Sequence, residues 1–245
     1  MKEWITGRNP VYEVFRAGRR QTFRLRVAAG VQEKGRLADV IQQARKQKLP
    51  VEQVPRSQLD QLSDSHQGVA LEASGYPYAA LEDILAHANQ REEPLFVLVL
   101  DLIQNPQNLG TLLRSAEAAG VDGAIIPLAR AATITPAVVN ASAGASEHLL
   151  VAQFNLSQAI TRLKEAGAWI IGLEEGPDAQ PIEQVNLDGP LALVVGNEGE
   201  GMRSLVRKSC DLLAALPMHG KIESLNAAVA GSIALYLALQ ARRKL

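Results

Sequence analysis

Hydrophobic positions follow two regimes along the chain, and the change falls near residue 75. Before it, helical spacing and short apolar runs alternate. Residues 9–18 read as a helix, with Pro10 near its start and Gly18 at its end. Residues 23–29 read as a strand. Residues 35–47 carry Leu37, Val40, Ile41 and Ala44 on one helical face. A short strand (51–54), a short helix (57–63) and a strand (69–73) complete a small α/β unit. Gly75-Tyr-Pro-Tyr78 interrupts the pattern, and residues 81–88 read as a helix leading onward.

From Leu95 the expected strands are apolar throughout: 95–100, 124–127, 149–154, 169–173, 191–195 and 212–216. Helical segments separate most of them. Unbroken apolar strands alternating with helices imply a mainly parallel sheet covered on both faces. The expected organisation is α/β, with a domain over residues 1–75, a linker over 76–92 and a second domain over 93–245.

Composition narrows the class. Hydrophobic residues make up 47% of 245, enough for a real core. No apolar run approaches the ~20 residues that span a bilayer, and Met1-Lys-Glu-Trp-Ile-Thr-Gly7 lacks the apolar segment of a signal peptide. Cys210 stands alone, which excludes an internal disulfide and a multi-cysteine zinc site. His66, His87, His148 and His219 are scattered, so no metal site is expected. A soluble, cytoplasmic protein is the plain expectation.

The net charge of -1 conceals a split. Residues 1–75 hold 13 basic and 8 acidic side chains, and the remainder hold 12 and 18. Arg16, Arg19, Arg20, Arg24 and Arg26 fall within twelve residues that contain no acid, interleaved with Phe15 and Phe23. Arginine beside aromatics suits RNA, pairing phosphates while stacking on bases. A solvated helix end followed by an ordinary strand would give the same composition.

Three segments carry candidate chemistry. Asn105-Pro-Gln-Asn-Leu-Gly110 runs on through Arg114. Leu191-Ala-Leu-Val-Val-Gly-Asn-Glu-Gly-Glu-Gly-Met202 follows later. Leu216-Pro-Met-His-Gly-Lys-Ile-Glu-Ser-Leu-Asn226 opens the last helix. Each begins at the end of an apolar run, where ligands of open α/β sheets bind. The glycine loop is not a phosphate loop: its spacing is G-x-x-G-x-G, no Lys-Ser/Thr follows, and Glu198 and Glu200 oppose an anion. Its ligand should be neutral or cationic. Taken singly, Asn108 and Ser224 also fit helix caps, Arg114 a surface ion pair, and Leu216 and Leu225 core packing.

Together, in this order, the three segments resemble the motifs of the SpoU (TrmH-type) RNA ribose 2′-O-methyltransferases of the SPOUT superfamily. Gly7-Arg-Asn-Pro-Val-Tyr-Glu-Val14 and His66-Gln-Gly-Val-Ala70 resemble the small ribosomal-protein-like RNA-binding domain of one SpoU branch. The resemblance implies a SPOUT catalytic domain with a C-terminal trefoil knot, S-adenosylmethionine as cofactor, and a homodimer formed through the catalytic domain. It implies catalytic roles for Arg114, Asn108, Glu198, Ser224 and Asn226, and cofactor contacts from Gly196, Asn197, Leu216, Met218 and Leu225. The arginines from Arg16 to Arg26 would bind RNA. The implied substrate is 23S ribosomal RNA, at a guanosine of the peptidyl-transferase P loop. A transfer RNA 2′-O-methyltransferase and a non-catalytic RNA-binding assembly factor are the alternatives. A guanidinium stays protonated, so Arg114 is expected to bind the phosphate beside the target ribose and polarise its hydroxyl. That phosphate, Glu198 or water would then receive the proton.

Overall fold

The computed structural model describes residues 2–197, 199–222 and 224–243. The chain divides into two compact units, one of residues 1–77 with 134–148, the other of residues 78–133 with 149–245.

In the first unit, β1 (Lys2–Thr6), α1 (Arg8–Ala17), β2 (Thr22–Ala28), α2 (Arg36–Lys46), β3 (Val51–Val54), α3 (Arg56–Asp60) and β4 (Val69–Ser74) follow one another. The sheet order is β1-β4-β2-β3, with β4 antiparallel to β1 and β2, and β2 parallel to β3. Strand β1 was not expected, because Lys-Glu-Trp-Ile-Thr offers only Ile5 and Thr6 as fully buried side chains. Helix α1 ends at Gly18, whose φ of 63° is left-handed and whose N–H returns to the Val14 carbonyl.

The second unit contains α4 (Leu81–Arg91), β5 (Phe96–Leu100), α5 (Pro106–Ala118) and β6 (Gly123–Ile126). Helix α6 (Pro136–Ala141) belongs instead to the first unit, with the rest of residues 134–148. The Asn140 amide donates to Thr6 Oγ1 at 3.0 Å, and His148 meets Glu13 at 2.7 Å. The second unit resumes with β7 (Leu150–Gln153), α7 (Leu156–Glu165), β8 (Trp169–Leu173), β9 (Gln180–Pro181), β10 (Leu191–Val195), α8 (Ser204–Ser209), β11 (Leu212–Ala215) and α9 (Ala227–Arg242). Residues 76–92, expected as a linker, are packed: Leu81, Ile84 and Ala88 of α4 enter the core of this unit.

All six strand pairings of the second sheet are parallel, in the order β7-β6-β5-β10-β8-β11-β9. One face buries Val97, Val99, Ile170, Ala192 and Val194 with residues of α4, α7 and α8. Alternation sends Phe96, Leu98 and Leu193 to the opposite face, where α5 and α9 pack on one another. Gly231 permits that approach, since a Cβ there would stand 2.5 Å from Leu112 Cδ2. Ser115 and Ser232 hydroxyls join the two helices at 2.7 Å. No helix among the described residues is long and apolar enough to cross a membrane.

Candidate active site

The strand order gathers the three sequence segments at one edge. The first follows β5 and the second follows its neighbour β10. The third follows β11, with β8 between. The chain leaves β5 toward β6 and β7 on one side and returns through β8 and β10 on the other, so this edge is a topological switch point.

A cavity of about 390 Å³ opens there. Leu173, Glu174 and Glu175 line it from β8, Gly196 and Asn197 from the loop after β10, and Leu216, Ser224 and Leu225 from the approach to α9. Its lining contains no lysine, arginine or histidine among the described residues. Glu174 is shared with Arg207 at 2.5 Å, whereas Glu175 has no ion pair among the described residues. Such a cavity repels phosphate and favours a neutral or cationic ligand with an apolar part.

The glycine loop is shaped by its backbone. Asn197 and Gly201 exchange hydrogen bonds at 3.0 and 2.9 Å, folding the loop back on itself. A Cβ on Gly196 would lie 2.4 Å from the Gly201 carbonyl carbon, so only glycine fits. Asn197 was expected as a cofactor contact, and its side chain braces the loop. Its Oδ1 accepts from Gly199 N at 2.8 Å and its Nδ2 donates to the Leu102 carbonyl at 3.0 Å. Its position still borders the cavity.

A second tie was not foreseen. Asp101, fully buried at the end of β5, accepts from Arg203 N at 2.8 Å and Arg203 Nε at 2.7 Å. Leu102 follows it with a left-handed φ of 60°. Asp101 and Leu102 thus clamp both ends of the glycine loop to the turn that follows β5. An acid closing an otherwise apolar strand was the available signal.

Helix α5 begins two residues before Asn108. Asn105 is its cap, accepting from Gln107 N at 2.8 Å, and Pro106 occupies the first turn. Asn108 is thereby freed from capping and meets Asn226, whose Nδ2 donates to Asn108 Oδ1 at 3.3 Å. Asn226 Oδ1 accepts from Ala228 N and Val229 N, so Asn226 rather than Ser224 caps α9. This pair joins the first and third segments. Asn108 and Asn197 also border a polar cavity of about 290 Å³. Arg114 lies further along α5, exposed and without an ion pair among the described residues. Met218 does not line the larger cavity. Glu198 lies outside the described residues.

Comparison with known proteins identifies the family. Residues 95–236 match the SpoU rRNA methylase family, and residues 4–79 match the RNA 2′-O ribose methyltransferase substrate-binding family. YacO of Bacillus subtilis (strain 168), assigned to the TrmH family of tRNA/rRNA methyltransferases, is 41% identical over 96% of this chain and 94% of its own. An uncharacterized tRNA/rRNA methyltransferase of Mycolicibacterium vanbaalenii is 39% identical over 98% of this chain and 77% of its own. The chain belongs to the SpoU rRNA methylase family. Among solved structures, the SpoU methyltransferase AviRb from Streptomyces viridochromogenes, in complex with AdoMet, has the same fold at 23% identity. The TM-score is 0.82, over 100% of this chain and 92% of that one. The sequence relationship makes this chain an RNA methyltransferase of the SpoU/TrmH type.

The arginine stretch of this SpoU protein differs from its linear appearance. Arg20, expected on an RNA surface, has a fully buried side chain. It forms a two-pronged pair with Glu147, both contacts at 2.8 Å, and bonds Glu3 and the Ser74 carbonyl. Burial opposes its charge, but Glu147 and Glu3 outweigh that and raise its pKa. RNA cannot reach it. Arg19 is held by the carbonyls of Pro77 and Glu147. Arg24 and Arg26 lie over Trp4, their guanidinium carbons 5.3 and 4.6 Å from the ring centre, and pair with Glu72 and Glu52. Arg16, exposed, pairs with Glu13 one helical turn back. The acids absent from this stretch arrive from β1, β3, β4, α1 and residue 147. The single thiol offers no nucleophile, because burial pushes Cys210 up to about 12.

Proposed function

We propose that this SpoU-family protein transfers the methyl group of S-adenosylmethionine to a ribose 2′-hydroxyl of 23S ribosomal RNA in the cytoplasm, at a guanosine of the peptidyl-transferase P loop. The observation that carries the reading is the cavity at the β8, β10 and β11 ends. Among the described residues it offers carboxylates, loop backbone and apolar surface but no cation, and the sulfonium and amino group of S-adenosylmethionine suit it. Gly196, Leu216 and Leu225 would hold the cofactor, with Glu175 near its positive groups. The target identity rests on the motif resemblance. The Bacillus relative's assignment spans both tRNA and rRNA, which keeps a transfer RNA target as the second reading.

In this account the 2′-oxygen attacks the methyl carbon as the sulfur–carbon bond breaks, and the bonding pair leaves on sulfur. Arg114 binds the adjoining phosphate and polarises the hydroxyl, whose proton passes to that phosphate, Glu198 or water. Asn108, Asn226 and Ser224 orient the ribose. Positioning of nucleophile and methyl supplies much of the acceleration. No step needs a metal.

We further assign residues 1–75 to RNA substrate binding, in line with their family match, and propose a homodimer. Val229, Ile233 and Tyr236 recur at helical spacing on α9 and are 46%, 40% and 47% exposed, an apolar stripe that a second copy would cover. The C-terminal trefoil knot implied by the resemblance is part of the same proposal. Strands β10 and β11 each insert beside β8 between earlier strands, which supports it.

Mapping ribose methylation in RNA from a strain lacking the gene tests the function. The expected result is loss of one 2′-O-methylguanosine from 23S RNA. An unchanged 23S map with a lost transfer RNA mark would replace the target, and no change anywhere would defeat the reading. Mixing Arg114→Ala subunits with Gly196→Trp subunits tests the dimer. Activity well above either parent shows a site shared between chains.

A further inference from the structure

We propose that the cavity at the carboxyl ends of β6 and β7 is a second RNA subsite, holding a nucleotide that flanks the methylated one. The inference rests on the RNA methyl-transfer reading and extends it to a surface outside the three sequence segments. The cavity, about 440 Å³, lies at the same sheet edge as the cofactor cavity, on the other side of the switch point. Leu128 and Arg130 line it from the loop after β6, Phe154 and Asn155 from the loop after β7, and Arg203 and Leu205 from the start of α8.

Three features need an occupant. Leu128 and Leu205 are 69% and 64% exposed, two large aliphatic side chains left open to water at one cavity. Arg130 is exposed, has no ion pair among the described residues, and holds a left-handed φ of 61° that arginine rarely adopts. Arg203 gives its Nε to Asp101 and keeps its side chain 45% exposed. Among the described residues, no carboxylate lines the cavity. Guanidinium groups recognise phosphate, and apolar or aromatic surface takes the face of a base. A free anion would use the arginines but not the leucines. A single-stranded nucleotide uses both, and the site's volume suits one.

The subsite also communicates with the cofactor loop. The carboxylate that receives Arg203 Nε receives Arg203 N as well, so a nucleotide held by Arg203 bears on the residue that ends the glycine loop.

The test uses the full-length protein with Arg130→Ala and Leu205→Asp, both at exposed positions, with melting curves to confirm folding. Arg130→Ala should raise the RNA KM about five- to tenfold and lower the salt slope of RNA binding by about one, as loss of one phosphate contact does. Leu205→Asp should raise the KM while both arginines remain. S-adenosylmethionine affinity should stay within twofold in each. RNA carrying 4-thiouridine beside the target should cross-link to residues 127–130 or 203–206. Wild-type KM and salt slope in both variants overturn the subsite, as does phosphate binding lost in Arg130→Ala with RNA binding unchanged. If the wild-type protein methylates no RNA, the functional reading fails on its own. Direct RNA binding by the two variants then still decides the subsite.

Discussion

The glycine-rich loop of the second unit and the arginine-rich stretch of the first are both conspicuous in the sequence, yet they differ in how local their meaning is. The loop's requirement is steric. Gly196 is needed because the backbone of Gly201 and Met202 occupies the place of its side chain, and those residues lie within the same short segment. The arginines' meaning depends on partners brought from elsewhere. Glu147 reaches Arg20 across 127 positions of sequence, and Glu72 reaches Arg24 across 48. A charge cluster in a chain therefore predicts a charged surface only when the fold supplies no acids to it.

The largest effect on the cofactor site is expected at Gly196. With backbone 2.4 Å from the added carbon, Gly196→Ala must move the loop. S-adenosylmethionine affinity should fall about a hundredfold, or ~2.7 kcal/mol. Titration calorimetry checks it, and a loss below threefold would show that the loop shape does not set the site.

The matching change in the first unit is Arg20→Ala. Removing one partner leaves Glu147 buried and unpaired, which should destabilise that unit by about 3–5 kcal/mol. Denaturant unfolding followed in the first unit reads this directly. Lost RNA affinity with full stability would restore Arg20 to an RNA surface.

An intermediate effect is expected from Asp101→Asn. The change removes the charge opposite Arg203 but keeps the shape, so cofactor affinity should drop about tenfold, or ~1.4 kcal/mol. A fall in kcat with cofactor affinity intact would place Asp101 in the reaction instead. Smallest is Arg16→Ala. Its pair with Glu13 is a surface pair one turn apart, so stability should change by less than about 0.5 kcal/mol. Any loss of RNA affinity in that variant reports RNA contact rather than folding.

The same distinction explains what could be read from the sequence. Unbroken apolar runs located β5, β8 and β10 closely, because strands covered on both faces need no polar positions. Strand β1 escaped, since its side chains mix charge with a single aliphatic residue. Residues 134–148 carry no local mark of belonging with the first unit. Their attachment depends on Asn140, Glu147 and His148 finding distant partners. At the site, Asn105-Pro106 carried the signal for the α5 cap, yet Asn108 drew the eye as a candidate cap. Its partner Asn226 lies 118 residues away. The carboxylates of Glu174 and Glu175 followed an ordinary strand and became part of the cavity only through the order β10-β8-β11. The apolar stripe on α9 was hidden in a helix that is apolar nearly all round.

The central claim is that the edge joining β5, β10 and β11 performs ribose methylation with Arg114 as a reacting-site group and not a cofactor group. Its most direct test measures labelled methyl transfer from S-adenosylmethionine to RNA by the wild-type protein and Arg114→Ala, with digestion to nucleosides and cofactor affinity measured in parallel. The account predicts a 2′-O-methylated nucleoside from the wild-type protein, and a fall of more than about tenfold in kcat, at least ~1.4 kcal/mol, for Arg114→Ala, with cofactor affinity within twofold. Label on a base, or more than a tenth of wild-type kcat in Arg114→Ala, would contradict it.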